Sequence, residues 1–140
     1  MACADRPRRD LTRRAKQAHN AIIPKFPSIP AASDARGKRV FASAGASCHG
    51  WSGESPEPPS ATLTDTWAVN NPAATNVAQI VISGTKRHTP DGALSMPAFG
   101  NAYSDDEIAA VANYVTARFG TKGSTLTAND VAELRKQTAQ

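Results

Sequence analysis

Apolar residues recur with a helical period in three stretches of the chain. The clearest is SDDEIAAVANYVTARFG, where Ile108, Val111, Ala112 and Val115 fall at i, i+3, i+4 and i+7. Ser104 and Glu107 supply a capping box in front of it, and Gly120 ends it. A second helix is predicted from Pro72, a favoured first-turn residue, through AATNVAQIVIS to Gly84. Its apolar stripe is Val77, Ile80 and Val81. The first helix in chain order starts at a Ser33 or Asp34 cap and runs through ARGKRVFASA, with Val40, Phe41 and Ala44 on a shared face. NDVAELRKQ, capped by Thr127 or Asn129, adds a short last helix. No stretch reads as a convincing strand and no internal repeat is present. The predicted fold class is therefore all-α, with three principal helices and a short C-terminal one.

Two long polar stretches separate these helices. Residues 45–71 are rich in Gly, Pro, Ser and Asn, and TKRHTPDGALSMPAFGNAY follows Gly84. Loops of that length inside a small domain point to function or to a bound group. Residues 1–32 read differently, as a basic tail or linker punctuated by Pro24, Pro27 and Pro30, with LTRRAKQAHNAII able to form a short helix upstream. The folded domain is expected over residues 33–140.

Charge sharpens that division. Residues 1–39 carry ten Lys and Arg against three acids, a net +7, while residues 40–140 carry six against nine, a net −3. A basic arm raises nucleic acid or an anionic membrane surface as partners. The arm has no aromatic residue besides Phe26, so it offers no stacking platform, and a solvated linker with no nucleic-acid partner is the expectation. No run approaches the roughly 20 apolar residues of a transmembrane helix. The start, MACADRPRRDLTRR, has no apolar run after its charges and does not fit a secretory signal peptide. Cys3 and Cys48 make no disulfide framework. No Ser-His-Asp motif, P-loop, dinucleotide fingerprint or four-ligand zinc spacing is present.

The chemistry concentrates in the two polar stretches. The first holds Gly45-Ala46-Ser47-Cys48-His49-Gly50, which is the haem-attachment pattern C-x-x-C-H with glycine in place of its first cysteine. The second holds Met96, the one methionine besides Met1. A thioether is a soft ligand suited to low-spin iron, although a methionine also serves as ordinary core packing. The order of Cys48-His49 after the first helix and Met96 before the third favours a ligand pair.

With those residues in place, the chain resembles a class I cytochrome c domain over roughly residues 33–140. The matching features are Gly37 to Phe41 in the first helix, Cys48-His49, Met96-Pro97, and Tyr114 in VANYV. The resemblance implies helices wrapped round one haem c, a covalent bond at Cys48, His49 as proximal iron ligand and Met96 as distal ligand. It also implies that Gly37 lets the first and last helices cross closely, beside an aromatic pair. The resemblance is closer still to the C-terminal haem domain of multi-haem cytochrome subunits serving membrane-bound sugar, alcohol, gluconate and aldehyde dehydrogenases. The segments that carry it are ATLTDTWAVNNPAATNVAQIVISGT, RHTPDGALSMPAFG and SDDEIAAVANYVTARFG. It implies electron relay from a dehydrogenase subunit toward a quinone or terminal oxidase, by a carrier that is not itself an enzyme. It further implies a periplasmic site at the cytoplasmic membrane, with indirect membrane association. The N-terminal arm would then be the remnant of a linker from a preceding domain, and the chain a fragment or a mis-started product.

Gly45 leaves alternatives open: a single-thioether haem, a degenerate or engineered copy, or haem held without a covalent link. A haem-free, vestigial helical interaction domain is the alternative function. His88 and His19 are weaker ligand candidates, more in keeping with solvated side chains. Trp51 and Trp67 are candidates to line the haem or to bind a propionate, and Lys86, Arg87 and Arg118 to pair with propionates or steer a partner.

Overall fold

The computed structural model describes residues 30–90 and 92–139. The expected N-terminal tail, with His19 and Cys3, falls almost wholly outside the described residues. Helix α1 is Ala31–Val40. It begins before either expected cap, because the Pro30 carbonyl accepts the first bonds, from the Ser33 and Asp34 N–H groups at 2.8 and 3.0 Å. Nor does the helix end at Ala44. A π-helical turn over Phe41–Gly45 carries it into α2, Ala46–His49, so Cys48 and His49 sit on a helix end and not in a loop. The expected loop beyond contains a 3-10 turn, Pro59–Ala61, and the short α3, Trp67–Asn70.

Helix α4 is Thr75–Ser83, three residues shorter at its start than Pro72 predicts. Asn71 is the reason. Its side chain accepts from Ala73 N–H at 3.0 Å and its carbonyl from Ala74 N–H at 3.2 Å, closing a turn in place of a helical start. Gly84 ends α4 as expected, with φ at 67°. A correction follows it: the second polar stretch contains a β-hairpin, β1 Thr85–Thr89 and β2 Gly92–Met96, paired antiparallel from Thr85↔Met96 to Thr89↔Gly92. Most of its residues are exposed, so no apolar alternation marked it in the sequence.

Helix α5, Asp105–Phe119, is the spine. Ser104 and Glu107 form the expected capping box, and every residue from Ile108 to Thr116 is buried. A helix buried all round must be packed on several sides, and α1, α3, α4 and the last helix, α6 (Ala128–Thr138), all lie against it. Thr127, rather than Asn129, caps α6, in a second capping box with Asp130.

Two devices set these helices. A Cβ on Gly37 would lie 2.3 Å from the Ala110 carbonyl oxygen and 2.6 Å from Tyr114 Cβ, so α1 and α5 cross at a distance only glycine allows. Phe41 and Tyr114 pack beside the crossing at 5.7 Å between ring centroids, and Phe119 joins them at 5.3 Å from Phe41. Buried Asn113 fixes the chain between α5 and α6. Its amide donates to Leu126 O at 2.8 Å and its oxygen accepts from Leu126 N–H and Ser124 Oγ. Nothing in the periodicity of α5 singled out that asparagine. No helix among the described residues is long and apolar enough to cross a membrane.

Candidate haem site

The helices and the hairpin enclose a cavity of about 560 Å³. Its walls are mostly apolar: Val40 from α1, Phe41 from the π-helical turn, Val77, Ile80 and Val81 from α4, Val111 and Val115 from α5. The apolar stripe expected on α4 thus faces this space. Protein interiors seldom leave voids larger than a water molecule, whereas prosthetic-group and ligand cavities are apolar with a few placed polar groups. Its polar and sulfur-bearing lining includes the groups that the sequence singled out. Cys48, His49 and Met96 all line the cavity, arriving from α2 and β2.

His49 is half-buried, and its Nδ1 lies 2.6 Å from the Ala61 carbonyl oxygen. A carbonyl only accepts, so Nδ1 carries the proton and Nε2 keeps its lone pair. A ring nitrogen anchored on a backbone carbonyl is the arrangement that fixes a histidine's tautomer and orients the ring for a metal. The loop that brings Ala61 there is itself pinned. Ser55 Oγ donates to Cys48 O at 2.7 Å, Ser55 N–H to Thr62 Oγ1 at 3.1 Å, and Leu63 N–H to Gly53 O at 2.7 Å. The Ala61 partner lies twelve residues away and carries no sequence signal, since any residue has a carbonyl.

Met96 ends β2, paired with Thr85. Behind it, Gly84 takes a left-handed φ, and a Cβ there would lie 2.5 Å from Met96 O and 2.8 Å from Ala98 N. The helix stop and the close seat of the Met96 backbone therefore use the same glycine. The turn beyond is tied to α4, with Phe99 N–H on Val81 O at 2.8 Å and Gly100 N–H on Ile82 O at 3.1 Å.

Gly45 lines the cavity next to Phe41, and a Cβ added there would meet the Phe41 ring edge at 2.8 Å. The space a first cysteine would start from is thus occupied by an aromatic edge. Among the described residues, Arg87 is the one Arg, Lys, Asp or Glu on the cavity wall. It shares a hairpin face with Leu94, its cross-strand partner, which lines the cavity too.

The other candidates separate from the site. Trp51 and Trp67 are 61% and 74% exposed and neither lines the cavity, although the Trp51 ring meets Phe41 edge-on at 6.5 Å. His88, Lys86 and Arg118 are exposed and lie outside it. No cluster of three or more His, Cys, Asp or Glu among the described residues could hold a free metal ion. The donor set fits a haem instead: one imidazole nitrogen and one thioether sulfur on the wall of a mostly apolar cavity, with a cysteine beside the histidine and a cation on the wall.

No curated protein sequence matches the chain. The family model described as Cytochrome c matches residues 35–118, a span that holds Gly37, Cys48, His49 and Met96, the cavity walls and most of α5. By that match the chain belongs to the cytochrome c family, the electron-transfer haem proteins whose cofactor is covalently bound haem c.

Proposed function

We propose that this chain carries a single haem c in the cavity, with His49 and Met96 as its two axial ligands and one thioether bond at Cys48. The observation that carries the reading is His49 anchored through Nδ1 on Ala61 O at the wall of an apolar cavity that Cys48 and Met96 also line. Bound there, haem supplies one-electron iron chemistry. His49 presents Nε2, fixed by the Ala61 carbonyl. Met96 supplies a soft sulfur, which raises a haem's reduction potential and closes the iron to small ligands. The valine and isoleucine walls exclude water and lower the local dielectric. Arg87 gives the haem carboxylates a cation to pair with. Gly45 bears on retention of the group, not on ligation, because neither axial ligand depends on it. That also counts against the haem-free alternative.

The chain then relays electrons from a partner dehydrogenase subunit toward a quinone or terminal oxidase, on the periplasmic side of the cytoplasmic membrane. The support is the similarity of its segments to the haem domains of such dehydrogenase subunits. The body's acidic balance, net −3 over residues 40–140, sets the charge a partner meets there.

An absorption spectrum of the purified protein, expressed with the haem-attachment machinery, tests the site. Sharp low-spin bands that survive acid–acetone extraction are expected. Bands lost on extraction would leave axial binding alone, and the absence of a Soret band would sink the proposal.

A further inference from the structure

The turn that follows Met96 is gripped from outside the family-matched region. Arg135 lies on α6, beyond residues 35–118, and its guanidinium reaches back over more than thirty residues. It donates to the Gly100 carbonyl and, at 2.7 Å, to the Tyr103 carbonyl, while its Nε donates to the Asp105 carboxylate. Gly100 and Tyr103 belong to the segment between Met96 and the Ser104 cap of α5, in which Tyr103 N–H bonds Phe99 O at 3.2 Å. Phe99 and Tyr103 both line the cavity, and Arg135 does not.

We propose that Arg135 is a positioning residue for Met96. The inference rests on the reading of Met96 as an iron ligand and adds what holds that ligand in place. At one end Met96 is tied by its pairing with Thr85 in the hairpin. At the other, Phe99 and Gly100 bond to the last carbonyls of α4, and Arg135 satisfies two carbonyls further along. A planar guanidinium with five donors meets three acceptors in different directions, which an ammonium on a flexible stem does not. Asp105, in the first turn of α5, fixes the guanidinium by a charged bond. Without Arg135 the turn keeps its backbone bonds and the Tyr103 hydroxyl contact with Ser43 but loses the donors on the Gly100 and Tyr103 carbonyls, and the sulfur is displaced more easily.

The test is imidazole titration of the ferric full-length holoprotein, since imidazole competes with the Met96 sulfur for the iron. Arg135→Gln is expected to bind imidazole about tenfold more tightly than wild type, the scale of lost charge-assisted hydrogen bonds. Arg135→Lys should lie between. Leu134→Ala removes a buried neighbour on the same helix and serves as the stability control; it should lower the unfolding midpoint and leave imidazole affinity alone. Wild-type affinity in Arg135→Gln, with Met96→Ala binding imidazole far more tightly, overturns the inference by itself. An equal gain in Leu134→Ala and Arg135→Gln also overturns it, reducing Arg135 to general stability. Wild-type affinity in Met96→Ala overturns the ligand reading and the inference together.

Discussion

Single atoms decide the character of the cavity wall and of the helix crossing beside it. At position 45 the missing Cβ separates a one-cysteine site from a two-cysteine site, and the Phe41 ring edge sits 2.8 Å from where that atom would be. Gly45→Cys, produced with the attachment machinery, is expected to convert the alkaline pyridine haemochrome from the single-thioether to the double-thioether spectrum, with Phe41 turning aside. An unchanged haemochrome would mean that the ring blocks the second bond. Position 37 works by the same logic on a backbone. Gly37→Ala places a methyl against the Ala110 carbonyl, which cannot move without the helix, so α1 and α5 must separate. A net loss of about 2 kcal/mol is expected in urea unfolding, overpacking outweighing the better helix propensity of alanine.

The helices are specified by their ends as well as by their faces. The Asp130 carboxyl is held below the usual carboxylate range, first by the Thr127 side-chain hydroxyl and then by the Thr127 backbone N–H. A carboxylate depressed in the folded state contributes stability above its unfolded pKa, and the contribution is lost as pH falls through the folded value. The capping of α6 should therefore weaken below the ordinary carboxylate range. Asp130→Asn should flatten that part of the stability–pH curve, read from thermal melts between neutral pH and acid; a curve parallel to wild type would remove Asp130 from the cap. At this scale the sequence was most legible. Capping boxes and the α5 period are local, and Ser104, Glu107 and Thr127 do what their types predict. The start of α4 and the hairpin were not legible. The first was decided by an Asn71 turn competing with the helix, and the second by backbone pairing with hardly any apolar face.

For the whole molecule, the cavity is the dominant feature, because it leaves the apolar faces of α1, α4 and α5 without protein partners along part of their length. A group that binds the folded chain and not the unfolded one stabilises it by mass action, by about 4 kcal/mol when present at a thousandfold excess over its Kd. The chain produced without haem attachment is expected to melt at a markedly lower temperature than the holoprotein, and addition of free haem should recover part of the difference. Equal melting of the two forms would mean that the cavity does not depend on its occupant.

His49, Met96 and Cys48 were singled out by residue type, by their order and by the resemblance to cytochrome c, and the structure puts all three on one cavity wall. The sequence by itself determined the periodic run of α5, its Ser104–Glu107 cap and the donor atoms, because each depends on neighbours within a few residues or on a side chain's own chemistry. Only the tertiary structure decided which donors share a cavity, that Trp51 and Trp67 stand outside it, and that Ala61 anchors His49 while Arg135 grips the turn behind Met96. Those last contacts join residues twelve and more than thirty positions apart, through carbonyls that every residue possesses. Only the folded path of the chain singles them out.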